Sequence, residues 1–258
     1  MTSMMRKPKS IKSRRLNKIL IMKKFIFSLG LISMLAVAPH LVASCSSDDE
    51  PTYSCNTTVD AWVKKNKKKI QSMDRRSWKN LGQDVSKAVY LAFTQKQKIS
   101  FWCEKINEVK SLGWNEEELH HLEQVKDYVQ KHKYIFADSY ELSESDQDEM
   151  DLFFYKWKKY AIENLGWSES LCYAIVASGQ ELADKEGRLV TVNTRSGGVS
   201  TGPTNPGLNL GDCHCSVESD YCGFPINPSV ECYRGFCNKV SGCGTLWAKE
   251  CNGRCSGM

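Results

Sequence analysis

Eight of the 12 cysteines in this chain crowd into residues 213–255, and that crowding constrains the fold more than any other feature. The segment 213–258 has four acids (Glu218, Asp220, Glu231, Glu250), four bases (Arg234, Lys239, Lys249, Arg254) and few aliphatic side chains. A piece this small rarely folds on apolar burial alone. Disulfides, each contributing about 2–4 kcal/mol by restricting the unfolded chain, close that gap. Cys213, Cys215, Cys222, Cys232, Cys237, Cys243, Cys251 and Cys255 are therefore expected to form four bonds. On the order of a hundred pairings are open to eight cysteines, and spacing does not select one. Tyr221, Phe224, Tyr233, Phe236 and Trp247 are expected to supply most of the apolar core of this module. Cys213-His214-Cys215 also offers close zinc ligands. The N-terminal segment, however, directs the chain to a compartment where disulfides form and thiolates are scarce, so no metal or other cofactor is expected.

That segment reads as an address. Met22-Lys23-Lys24 opens an apolar run that extends from Phe25 to Ala43 and is interrupted by Gly30 and Pro39. A basic start, an apolar middle and small residues before a cut make a secretory signal over residues 1–44, rather than a membrane-spanning anchor. Residues 1–21 are expected to lie upstream of the true start, Met22. Val42-Ala43-Ser44-Cys45 resembles a bacterial lipoprotein box. The resemblance implies lipid attachment through a thioether at Cys45, where acyl chains add about 0.8 kcal/mol of anchoring per buried methylene. The following Ser46-Ser47-Asp48-Asp49-Glu50 begins an acidic tether, 45–55, and resembles the signal that carries lipoproteins of Bacteroidetes-type bacteria to the outer face of the outer membrane. Removing residues 1–44 takes away nine bases and no acids, which turns a net charge of +5 into −4. A mildly acidic mature chain lacks the basic footprint that nucleic-acid binding needs.

Between the address and the module, residues 56–187 carry helical periodicity. Val85, Ala88, Val89, Ala92 and Phe93 share one face, as do Ile99, Trp102, Cys103, Ile106 and Val109, then Leu119, Leu122, Val125 and Val129. The richest stripe is Met150, Phe153, Phe154, Trp157 and Ala161. Asn115 and Glu118 have capping-box spacing, and Gly113 and Gly166 sit where helices end. The expected architecture is an all-α bundle or array of five or six short helices, followed by the small disulfide-rich module. Leu112-Gly113-Trp114-Asn115-Glu116 is echoed by Leu165-Gly166-Trp167-Ser168-Glu169, which reads as recurring turn chemistry. The lysines of residues 64–69 read as a solvated helix face. Adjacent His120 and His121 point about 100° apart on a helix and do not share a metal. Cys103 reads as a buried thiol, with a bond to Cys172 left open. No base–nucleophile pair appears, so no catalytic residue is assigned and no enzyme is expected.

Residues 188–212 read as a Gly/Pro/Ser/Thr linker. Gly198-Val199-Ser200-Thr201-Gly202 matches a nucleophile elbow in letters only, because Pro203 and Pro206 oppose the helix that the motif requires. Gly197-Gly198 resembles the double glycine ending many bacteriocin leaders, and an exposed connector is where a protease would most easily free the module.

In the module, Cys213-His214-Cys215-Ser216-Val217-Glu218-Ser219-Asp220-Tyr221-Cys222, then Gly242-Cys243-Gly244-Thr245-Leu246-Trp247, then Cys251-Asn252-Gly253, resembles the fulvocin C-related bacteriocins. The intervals Cys222 to Cys232 and Cys251 to Cys255 depart from that family's spacing. The resemblance implies an exported bacteriocin-like lipoprotein, anchored to the membrane through Cys45, whose module acts on the membrane or a receptor of competing cells. Tyr221, Phe224 and Trp247 are the candidate target contacts. The alternative expectation is a non-toxic surface lipoprotein with a structural or partner-binding module.

Overall fold

The computed structural model describes residues 51–137, 143–190, 213, 215–218, 222 and 231–256, with residues 83 and 84 described for their backbone only. The signal segment, Cys45 with its acidic tether through residue 50, the linker from 191, and Tyr221 and Phe224 lie outside the described residues. All described residues belong to one compact unit, 43–258.

Among the described residues, seven α-helices build the body: α1 (Thr57–Ile70), α2 (Arg75–Trp78), α3 (Gln83–Leu91), α4 (Gln95–Lys110), α5 (Glu116–Lys131), α6 (Glu144–Glu163) and α7 (Glu169–Val176). Six of them match the expected number. The seventh, α2, is a single turn, too short to show a period. Local chemistry sets the boundaries. Side chains of Asn56, Asp74, Thr94, Asn115, Ser143 and Ser168 each accept a hydrogen bond from a first-turn N–H. Such caps satisfy donors that the helix cannot. Asn115 and Glu118 form the expected capping box, as do Thr94 and Gln97. Gly113 (φ 81°) and Gly166 (φ 69°) take the left-handed conformation that turns the chain between helices.

The apolar stripes meet in one core. Val63, Val89, Trp102, Ile106, Val109, Leu122, Val125, Val129, Met150, Ala161 and Ile175 are fully buried there. The two Leu-Gly-Trp turns come together, with the Trp114 and Trp167 rings 5.1 Å apart. Lys65, Lys67, Lys68 and Lys69 are solvent-exposed, as expected of a solvated face. Cys103 and Cys172 are free thiols, which closes the disulfide alternative; burial pushes the Cys172 pKa up to about 12.

His121 is buried and serves packing. Its ring stacks on Trp157 at 4.8 Å and 5°, Nε2 lies 3.0 Å from the Trp157 carbonyl, and Trp157 Nε1–H donates back to the His121 carbonyl at 3.0 Å. Burial pushes the His121 pKa below its ordinary 6.5; the Trp157 carbonyl and Glu117 oppose the shift and His120 adds to it. The unfolded chain then binds more protons than the folded one in the interval below 6.5. This residue's contribution is complete above that value and is lost as pH falls towards the lowered folded pKa. Urea unfolding at pH 7.5 and pH 5 is expected to show a smaller acid loss for His121→Phe than for the unsubstituted protein. Equal losses would contradict a neutral buried imidazole.

The body does not end at residue 187. Leu182 and Leu189 form an antiparallel bridge, supported by Ala183 N–H to the Arg188 carbonyl (2.8 Å) and Val190 N–H to the Glu181 carbonyl (2.8 Å). The body therefore extends through residue 190, because residues 188–190, expected as linker, are hydrogen-bonded to residues 181–183.

In the module, β1 (Cys232–Tyr233) pairs with β4 (Arg254–Cys255), and β2 (Val240–Cys243) pairs with β3 (Lys249–Cys251), both antiparallel. For Tyr233, Phe236 and Trp247 the expectation that aromatic rings fill its core is corrected, while Tyr221 and Phe224 lie outside the described residues. Phe236 is 89% exposed, Tyr233 is exposed, and Trp247 faces the helical body. Sulfur fills the interior instead, in one cluster of Cys213, Cys243 and Cys251 and another of Cys215, Cys222 and Cys255. Strands of two to four residues leave no room for an alternating apolar face, so the cystines are both staple and core.

Candidate functional site

The eight expected cysteines form four bonds: Cys213–Cys237, Cys215–Cys232, Cys222–Cys255 and Cys243–Cys251. Cys215, Cys222 and Cys232 gather their sulfurs within 4.8 Å, a spacing that suits a metal, but all three are spent in disulfides. The Cys243–Cys251 bond closes a ring, and the tip of that ring is the surface on which the module meets the body.

The tip is Gly244-Thr245-Leu246-Trp247. Leu246 and Trp247 both have φ 53°, the left-handed region that side chains rarely enter, at a cost of roughly 1–2 kcal/mol each. Their burial offsets that cost. Leu246 is fully buried within the core of the helical body. The Trp247 ring lies in an aromatic socket, 4.8 Å from Tyr90, 5.9 Å from Trp78, 6.0 Å from Phe101 and 5.9 Å from Trp102. The contacts with Tyr90 and Trp102 are edge-to-face, at 86° and 84°, an arrangement that ring quadrupoles favour, and those with Trp78 and Phe101 are tilted. Trp247 Nε1–H donates to the Ala177 carbonyl (2.9 Å), and the Tyr90 hydroxyl donates to the Leu246 carbonyl (3.4 Å). Two cations add to the contact. Lys249 Nζ reaches Asp151 on α6 at 2.7 Å, and Lys87 Nζ on α3 lies 3.0 Å and 3.2 Å from the Cys251 and Cys243 sulfurs.

The segment 177–181, which forms the far wall of the socket, is held by buried charge. Arg75 NH1 donates to the Gly179 carbonyl (2.9 Å), while its Nε and NH2 grip Glu108 Oε2 at 3.1 and 3.0 Å. Its guanidinium also covers the Phe101 ring at 4.5 Å. Lys79 joins Glu108 (3.0 Å) to Glu181 (2.7 Å), and Lys105 Nζ donates to the Gln180 carbonyl. Burial would raise the Glu108 pKa, but Arg75 and Lys79 beside it hold it below the ordinary carboxylate value. Burial, with Arg75 adding to it, pushes the Lys105 pKa well below that of a free lysine. Gly179 is required for the close approach: a Cβ there would lie 2.5 Å from the Trp247 ring and 2.8 Å from that of Trp78.

Of the three candidate target contacts, Trp247 is thus placed against the chain's own helices, and Tyr221 and Phe224 lie outside the described residues. Trp247 cannot reach a target while it fills the socket. The module's large exposed apolar side chains among the described residues are Tyr233 and Phe236, with the exposed Arg234 between them. Cystines at Cys232 and Cys237 flank this loop, so it is presented on a braced turn. Sequence reasoning missed Arg75, Lys105 and Glu108. A signal for Lys105 existed, because it falls between Trp102 and Val109 on the apolar stripe of α4, where a charge is out of place unless partnered.

Two shallow clefts also mark the body. One of about 370 Å³ is lined by Trp114, Trp167, Glu118 and Lys185. Lys185 already lies over the Trp114 ring at 4.4 Å and 3.7 Å from Glu118, so the chain fills its own cation seat there. The other, of about 260 Å³, is lined by His121, Phe153, Trp157 and Tyr160. Comparison with protein-family models, with curated proteins and with solved structures found no match to this chain.

Proposed function

We propose that this chain is an exported, lipid-anchored, bacteriocin-like protein whose disulfide-stapled C-terminal module targets or binds competing bacteria. The observation that carries this reading is the complete internal pairing of the module's eight cysteines. A module whose interior is cystine sulfur holds its shape only where thiols are oxidised, outside the reducing cytoplasm. In this reading Cys45 carries the lipid that ties the protein to the outer membrane, facing outward, and the chain acts without catalysis. The exposed Tyr233, Arg234 and Phe236 then take the place of Trp247 as contacts to a target membrane or receptor.

The test is growth inhibition. Oxidised protein comprising residues 43–258, intact and cut between residues 195 and 212, is applied to a broad panel of related strains. Inhibition is expected, and a Tyr233→Ser/Phe236→Ser double variant is expected to lose at least about tenfold in potency, since hot-spot aromatics typically carry 1–2 kcal/mol or more each. A panel that grows unimpeded with both preparations would end the toxin reading.

A second reading is favoured by one observation, the insertion of Leu246 and Trp247 into the body's own core. A module so seated also suits a surface lipoprotein in which it is structural or binds a partner. Quantitative retention of the intact chain on producing cells, without inhibition of neighbours, would select it.

A further inference from the structure

We infer that the aromatic socket of the helical body is a receptor for the cystine-closed ring of residues 243–251, and that the body keeps hold of the module after the connecting segment is cut. The ligand class is a disulfide-closed loop with Leu-Trp at its tip, and the occupant is this chain's own module. The inference concerns binding and stands whether or not the module is toxic.

All eight module cysteines are paired with one another, and Cys103 and Cys172 of the body are free. The backbone through residues 191–212 is therefore the one covalent path between body and module. Everything else that joins them is non-covalent, and it has the anatomy of a recognition site. A fully buried Leu246 and a Trp247 held by four rings make the apolar centre. Directed polar contacts surround it: Trp247 Nε1 to Ala177, Tyr90 to the Leu246 carbonyl, and Lys249 to Asp151. Central aromatic anchors with a polar rim are what separable interfaces rely on.

The ring is also preorganised. The cystine spans a sequence separation of 8, and it brackets the left-handed Leu246 and Trp247. A loop already held in its bound shape loses little conformational freedom on docking. The socket is braced in the same way, since Arg75 and Lys105 fix the carbonyls of residues 179 and 180 from inside the body. Each half arrives shaped for the other.

A protease site placed within residues 199–206 of oxidised 43–258 protein tests the inference. After complete cutting, the two pieces are expected to co-elute on gel filtration at about 1 µM. Cut Trp247→Ala protein is expected to associate at least about 30-fold more weakly and to separate at that concentration. Should Trp247→Ala fail to fold, cut Asp151→Asn protein, which leaves both cores intact but strips the buried Lys249 ammonium of its partner, is expected to dissociate on about tenfold less dilution. Separation of the unsubstituted pieces at 1 µM would overturn the inference. So would cut Asp151→Asn and Trp247→Ala proteins that hold together as firmly as the original.

Discussion

Replacing Trp247 with alanine is expected to lower the unfolding free energy by about 3–5 kcal/mol, the range found when a large packed aromatic is truncated. The loss has three sources. Four ring contacts disappear, the Ala177 carbonyl loses its donor, and the left-handed backbone at residue 247 stays strained with nothing to offset it. Because Trp78, Tyr90, Phe101 and Trp102 belong to the core of the helices, the damage is not confined to the module. Denaturant unfolding followed by helical circular dichroism is therefore expected to report it, although residue 247 lies in no α-helix. Trp62, 40% exposed on α1, is the control: Trp62→Ala is expected to change stability by no more than about 0.5 kcal/mol. If the two variants lose similar amounts, Trp247 is not the anchor that its contacts describe.

Reducing the four cystines is expected to have an effect as large, and one that divides the chain in two. The bonds span sequence separations of 24, 17, 33 and 8, and each restricts the unfolded module by about 2–4 kcal/mol. With Tyr233 and Phe236 in solvent and Leu246 and Trp247 committed to the body, the described residues of the module offer no aromatic interior to hold it together once reduced. Under reductant in native buffer, amide protection is expected to vanish across residues 231–256. It is expected to persist in α4 and α5, whose cores contain no cystine. The body would keep most of its helicity while losing the stabilisation supplied by the plug. Persistent protection of the reduced module would mean that something other than sulfur organises it. The order of loss is also informative. The bond between Cys222 and Cys255 closes the longest loop and restricts the unfolded chain most. That between Cys243 and Cys251 closes the shortest, yet it holds the ring that enters the socket.

The helical body was legible for local reasons. An amphipathic stripe of 16 residues such as α4 or α5 repeats its pattern over four turns, and caps such as Asn115 with Glu118 mark the ends. The one-turn α2 escaped because Arg75 to Trp78 contains no repeat. Its Arg75 is one of the most enclosed side chains in the body, and nothing around it in the chain foretells this: Glu108 is 33 residues away and Gly179 is 104. The same holds for residues 188–190, whose composition reads as linker although their backbone pairs with residues 181–183.

The cysteine count, with an export signal that disfavours zinc, pointed to four cross-links in the module, since so short a segment with so few aliphatics needs staples to stay folded. They left the pairing and the role of each aromatic open, because both depend on which distant groups come to lie side by side. Trp247 and Phe236 are equally apolar in a list of residues. Only packing sends one into a socket of four rings contributed by residues 78 to 102 and leaves the other in water. Periodicity, capping and cysteine density act over a few residues and can be read along a string. Burial is a property of surfaces brought together from far apart, and the tertiary structure alone assigns it.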